Sequence, residues 1–253
     1  MSAPWSGERS EVAIWQEVEF GNYAADLELW VELAEQLGDP VLELGSGAGR
    51  VAVELASRGY RVLAVERDGD LAGELQHTVD ARRLSVAVIR HDLGAADGLE
   101  LPDRPRLAIG PLHVIQLLDD RARTSLLRSL GRLLAPGATI ALTAVDESTL
   151  LSEGTGAPQI LPDMRELDGW VYSSEPLWVQ VTEDELRVRR IRERVSPDGR
   201  MDRSVHDDVL GRISAERLED EARRSGLTVR ARRQITYGPN EADSAVVMLE
   251  VPS

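Results

Sequence analysis

The sequence predicts a doubly wound α/β domain that carries a small antiparallel β insertion. Three observations predict it. Short apolar runs alternate with helical stretches from residue 41 to residue 145, the rhythm of a parallel sheet with crossover helices. A glycine-rich turn, Gly45-Ser46-Gly47-Ala48-Gly49, joins the first of those runs to the next helix. Past Asp146 the alternation gives way to strand-like runs joined by turn residues, and afterwards it resumes.

The elements follow in order. Residues 11–36 read as one helix rich in aromatics (Trp15, Phe20, Tyr23, Trp30), stopped by Gly38-Asp39-Pro40. The first strand is 41–44, and a helix runs from the glycine turn to about residue 57. Arg58-Gly59-Tyr60 turns the chain into a second strand, 61–66. A helix over 70–81 leads to a third strand, 84–90, and the fourth strand is 107–110. A long helix over 119–134 ends at Ala135-Pro136-Gly137, and the fifth strand is 139–145. Residues 150–168, rich in Gly, Pro and acidic side chains, read as a loop. Three antiparallel strands are expected at 175–181, 185–195 and 200–213. Ser214 opens a helix to about residue 225 as its N-cap, and strands at 227–234 and 244–251 complete the sheet. This divides the chain into a helical cap, 1–40, and a main domain, 41–253, interrupted by a β insertion at 150–213. The insertion is expected above the carboxyl edge of the sheet, where open α/β folds bind ligands, as a lid. A dimerisation surface is the alternative.

Composition excludes several chemistries. The 253 residues carry 29 basic and 44 acidic side chains, a net charge of −15. That balance disfavours nucleic acid and anionic membranes as partners. Every basic residue is arginine, so lysine Schiff-base chemistry is excluded. No cysteine is present, which removes thiol nucleophiles, disulfides and thiolate metal sites. The four histidines, at 77, 91, 113 and 206, have no ligand-like spacing, so no metal site is expected. No apolar run approaches a membrane span and no signal peptide is evident, so the expected location is cytoplasmic, as monomer or homodimer.

The glycine turn is the sharpest motif. A dinucleotide fingerprint, G-x-G-x-x-G, would need glycine where Arg50 stands, and a phosphate-binding P-loop would need a lysine. The spacing is instead G-x-G-x-G, with Glu43 two residues ahead of the first glycine. Glu66 ends the second strand in Val65-Glu66-Arg67-Asp68. His91-Asp92-Leu93 follows the third, and Ile109-Gly110-Pro111-Leu112-His113 ends the fourth.

Those four motifs, with Leu133 to Ala138 before the fifth strand, resemble class I S-adenosylmethionine-dependent methyltransferases of the small-molecule type. The resemblance covers about residues 23–251 and is weakest in the insertion. It implies a Rossmann-like sheet in the order 3-2-1-4-5-7-6, counting the 227–234 strand as sixth, with the seventh strand antiparallel. It implies S-adenosyl-L-methionine as cofactor. Glu66 then receives the ribose hydroxyls, Asp92 the adenine amino group, and Leu93 the ring or a backbone bond. Arg67 covers the adenine face. Glu43 orders the glycine loop or meets the cofactor's ammonium end, and Gly45, Ser46, Gly47 and Arg50 surround the methionine part. Gly110 lies beside the methyl end. Tyr23 closes over the cofactor and, with His113, stands beside the transfer point. Asp146 and His206 are placed with His113 as acceptor-binding residues. One departure is Pro105-Arg106-Leu107-Ala108, where the family often has an aromatic-acidic pair. The expected reaction is methyl transfer to an amine of a small metabolite or peptide. A hydroxyl acceptor, or a cofactor-binding module without catalysis, are the alternatives.

Overall fold

The computed structural model describes residues 9–145, 161–236 and 243–253. Two sheets organise it. The larger has seven strands: β1 (Val41–Leu44), β2 (Val62–Glu66), β3 (Val86–Arg90), β4 (Leu107–Gly110), β5 (Thr139–Val145), β10 (Thr228–Ile235) and β11 (Ser244–Glu250). Their order is β10-β11-β5-β4-β1-β2-β3. All pairs from β3 to β5 are parallel, whereas β11 runs antiparallel to both neighbours. This is the order and the reversed strand that the resemblance implies.

The inner parallel strands β1, β2, β4 and β5 are buried on both faces and mostly apolar, whereas β3, at the sheet edge, is half-exposed. Side chains alternate between the faces. Leu42, Leu44, Leu63 and Val65 enter one core with α5 (Asp120–Leu133) and α6 (Ala215–Arg224). Val41, Val62, Ala64 and Ile109 enter the other with α2 (Leu27–Leu37), α3 (Arg50–Ser57) and α4 (Gly69–Arg82). Trp30 is wholly buried in that second core, and its indole N–H donates to Asp26 at 2.8 Å. On the first side a buried bidentate pair, Arg123 with Glu221, clamps α5 to α6 at 2.7 and 2.9 Å.

The N-terminal segment corrects the single helix expected over 11–36. It forms α1 (Glu11–Phe20) and α2, separated at Gly21 and Asn22. Gly21 leaves no room for a side chain against Glu17, and the linker that follows carries Tyr23 and Asp26 to the glycine turn. The two helices have different neighbours, because α2 belongs to the sheet core and α1 does not.

The insertion has four strands rather than three: β6 (Asp163–Leu167), β7 (Trp170–Val181), β8 (Glu185–Val195) and β9 (Met201–Gly211), an antiparallel meander in chain order. The segment read as loop up to residue 168 therefore contains β6, and β7 begins five residues earlier than expected. Asp168-Gly169 supplies the hairpin turn, with both residues at positive φ. Trp15 and Val18 of α1 pack on Tyr172, with Leu167 and Trp170 at the margin. Arg192 reinforces that contact by stacking over Trp15 and pairing with Glu19 at 2.7 and 2.8 Å. Gln116 fastens the far end of the insertion, since its amide donates to Gly211 O and accepts from Val145 N. No helix among the described residues is long and apolar enough to cross a membrane.

Candidate active site

The glycine turn is held from three sides. Gly45, Gly47 and Gly49 all sit at positive φ, the region that favours glycine. Their missing side chains make room mostly for the protein itself. A Cβ on Gly45 would strike Val114, and one on Gly49 would strike Leu75. Only Gly47 faces a flexible neighbour, the amide end of Gln16 on α1, whose Oε1 accepts from Ala48 N at 2.6 Å. Ser46 is buried and its N–H donates to Val65 O, tying the turn to β2.

Glu43 and Glu66 anchor the turn from beneath and beside it. Gly49 is the N-cap of α3 and has no side chain to satisfy the helix's first N–H groups. Glu43 does so instead, accepting from the backbone of Ala52. Burial pushes its carboxyl up to about 8, with Arg50 opposing the shift and Asp26 and Glu66 adding to it. Its Oε2 is buried with no hydrogen-bond partner. Glu66, buried at the end of β2, accepts from Gly47 N and from Asp68 N, both at 2.8 Å.

Arg50, the first residue of α3, reaches back to the α1–α2 linker. It forms a two-pronged pair with the buried Asp26 at 2.6 and 2.7 Å, donates to Tyr23 O, and lies 4.8 Å from the centre of the Tyr23 ring. Asp26 therefore joins α2, α3 and the linker. Neither Asp26 nor Gln16 was expected from sequence. The signal for Asp26 was there: an acid four residues ahead of Trp30, the spacing that puts two side chains on one helix face.

The carboxyl ends of β2 and β3 open a cleft of about 620 Å³ lined by Arg67, Asp68, Arg90, His91, Asp92 and Ala95. Asp92 is exposed there and caps the 3-10 helix Leu93–Gly98 through Gly94 N. Leu93 points away, with its side chain in the sheet core, so it offers the cleft only backbone. This corrects the expectation that its side chain could lie on a bound ring.

Beyond β4 the chain turns through Leu112 and His113, two consecutive non-glycine residues at positive φ. Such strain persists only where the surroundings impose it. Here Thr143 on β5 imposes it, accepting from His113 N and donating to Gly110 O. The ring Nε2 of His113 lies 2.6 Å from Ser244 Oγ on β11. Burial drives the imidazole down to about 4, and the nearby Asp26 carboxylate only partly offsets this, so the ring is neutral at neutral pH.

The structure thus brings Tyr23, Glu43, Gly45, Ser46, Gly47, Arg50, Glu66, Arg67 and Asp92 along one edge of the sheet, with Gly110 and His113 at its centre. His206 is apart from them. It sits on β9, on the face of the insertion that carries Tyr172 and Arg190, paired with Asp208 at 3.3 Å. Asp146 lies outside the described residues. Among the described residues no group of three or more His, Asp or Glu side chains is arranged to hold a metal ion.

Residues 41–137 match a family model described as a methyltransferase domain. A 71-residue stretch is 46% identical to ribosomal RNA small subunit methyltransferase A of Anaeromyxobacter dehalogenans (strain 2CP-C), covering 24% of this chain. The chain spans about a quarter of the length of that relative. Similar solved structures include the sugar N-methyltransferase KedS8 from Streptoalloteichus sp ATCC 53650, at TM-score 0.72 and 12% identity, covering all of this chain and 97% of that one. The glycopeptide N-methyltransferase MtfA, complexed with S-adenosyl-L-methionine, gives TM-score 0.59 and 23% identity over 91% of this chain and 96% of its own. Residues 41–137 thus match a methyltransferase domain, and the chain as a whole has the class I fold of S-adenosylmethionine-dependent methyltransferases.

Proposed function

We propose that the protein binds S-adenosyl-L-methionine along the β1–β3 edge and transfers its methyl group to an amine of a small metabolite or peptide. The residues present fit the cofactor. Each carboxylate oxygen can accept two hydrogen bonds, so Glu66 keeps capacity for vicinal hydroxyls beyond its two backbone partners. The orphaned Glu43 Oε2 suits a nearby ammonium group, which would also favour its ionised form. The cleft at Arg67 and Asp92 gives an adenine ring a place beside β3. The cofactor supplies a methyl on a sulfonium, already activated for displacement.

The chain's own part is then to position the acceptor and exclude water. Tyr23 is held over the loop by Arg50, and α1 lies between the loop and the insertion. The insertion is read as a lid that would contribute His206 and Asp208 to the acceptor side. The observation that carries the amine preference is the neutral His113. An imidazole depressed to about 4 is a weak base for a hydroxyl, but it hydrogen-bonds well to an amine that arrives unprotonated. With Nε2 engaged by Ser244, Nδ1 is the nitrogen left for that contact. The similarity to sugar and glycopeptide N-methyltransferases supports the same choice. The net charge of −15 argues against an RNA acceptor.

The test is label transfer from methyl-labelled cofactor to a panel of amino sugars, amino-acid amides and phenols. Labelled amines are expected, with kcat falling at least tenfold in His113→Ala. Turnover of phenols alone would overturn the amine assignment. No product from any acceptor, with the cofactor bound, would favour a non-catalytic module.

A further inference from the structure

We propose that two copies of this chain join through β9, pairing antiparallel about a two-fold axis at Val205 to make one eight-stranded sheet. The inference is independent of the methyl acceptor.

The four-stranded sheet has two edges. Its β6 edge is covered by α1, where Arg165 reaches Asn22 and Glu17. Along β9 no other described element covers the strand before Gly211, where Gln116 bonds. Exposed edges of this length are normally blunted by charged side chains, lysine above all, by proline or by a bulge. Of these β9 carries charged side chains alone, and they are of both signs: Arg203 with Asp202, Asp207 and Asp208. The chain has no lysine, β9 has no proline, and its register with β8 is unbroken from Met201 to Gly211.

The outward backbone groups of β9 can be assigned. Arg212 N donates to Asp184 O and Ser196 N donates to Arg200 O, so the even-numbered residues of β9 are those bonded to β8. The odd-numbered residues, Met201 to Val209, turn their N–H and C=O groups to the open edge. Their side chains share the sheet face away from α1. On that face Met201 is 62% exposed, Val205 61% and Val209 39%.

Self-pairing must match odd residues with odd residues. Centring on Val205 sets Met201 opposite Val209 of the second copy, Arg203 opposite Asp207, and Val205 opposite itself. On the outer face every apolar side chain meets an apolar one and Arg203 meets Asp207, each of which also keeps a partner of its own chain, Glu193 and Arg189. Shifting the centre by one residue sets Arg203 against Val205 or Val209. Shifting it by two sets Arg203 against itself or Asp207 against itself. Only the Val205 register is complementary. On the inner face it sets Asp202 against Asp208, and each of these already has an arginine of its own chain, Arg194 and Arg190.

Sedimentation of the full chain tests this, with two variants. The wild type is expected at the mass of two chains. Val205→Arg, which sets two like charges across the axis, is expected at the mass of one chain, with unchanged circular dichroism because the site is exposed. Val205→Cys places thiols in an otherwise cysteine-free chain, with Cα atoms about 5.5 Å apart across the axis, within disulfide range. It is expected to form covalent dimers on mild oxidation far faster than the turn variant Glu183→Cys. A monomeric wild type, a dimer that survives Val205→Arg, or equal cross-linking at 183 and 205 would each overturn the proposal.

Discussion

At the scale of single residues, two buried titratable groups give the site its pH behaviour. Glu43 is pushed up to about 8 from a usual 4.5, so the folded protein holds a proton that the unfolded chain releases. Its contribution to stability is complete below about pH 4.5 and is lost as pH rises through 8. Urea unfolding of Glu43→Gln is therefore expected to show a flatter decline over that interval than the wild type. His113 runs the other way. Its pKa falls from 6.5 to about 4, so its contribution is complete above 6.5 and is lost as pH falls through 4. His113→Gln is expected to reduce acid destabilisation in that window. An unchanged acid limb would mean that the ring is not desolvated as described. Asp26 matters through its contacts, because it holds both Arg50 and Trp30. Asp26→Ala removes the carboxylate partner of the part-buried Arg50 and the acceptor of the Trp30 indole, and is expected to cost about 3 kcal/mol in chemical denaturation.

At the scale of elements, what was legible followed from pattern and what was missed followed from tertiary contact. β1 needed nothing beyond four apolar-flanked residues and a glycine turn, and α3 ended where the sequence ended it. β6 was hidden because Asp163 to Leu167 has a charged, half-exposed sequence that becomes a strand only through pairing with β7. The break between α1 and α2 was hidden because both halves carry the same aromatic pattern, although one packs on the insertion and the other on the sheet. The loop glycines were legible as a motif, but two of them serve close packing against Val114 and Leu75. Gln16 was not legible at all, since a lone glutamine on a helix signals nothing until that helix is placed over Ala48. The packing of α1 on the insertion has a direct test. Trp15→Ala removes a buried indole from Tyr172 and Arg192 and is expected to lower stability by about 3 kcal/mol. If α1 covers the cofactor as proposed, it should also weaken cofactor binding several-fold. Weaker folding with unchanged binding would separate α1 from the site.

At the scale of the whole molecule, the acidic chain uses its arginines mainly to tie parts together. The run at 187–194 is dense in arginine, and its five arginines pair with Glu185, Asp207, Asp208, Glu19 and Asp202. Exposed pairs of this kind contribute little individually. The buried Arg123–Glu221 pair differs, and Arg123→Ala should be among the most damaging substitutions far from the site. The larger sheet and α1 meet at one edge, and the claim on which the functional account rests is that this edge holds S-adenosyl-L-methionine through Glu66 and the glycine turn. Calorimetric titration of the cofactor into the wild type and Glu66→Ala tests it most directly. The account predicts one site per chain in the wild type and at least tenfold weaker binding in the variant, with its circular dichroism unchanged. No binding at millimolar cofactor, or equal affinity in Glu66→Ala, would contradict it.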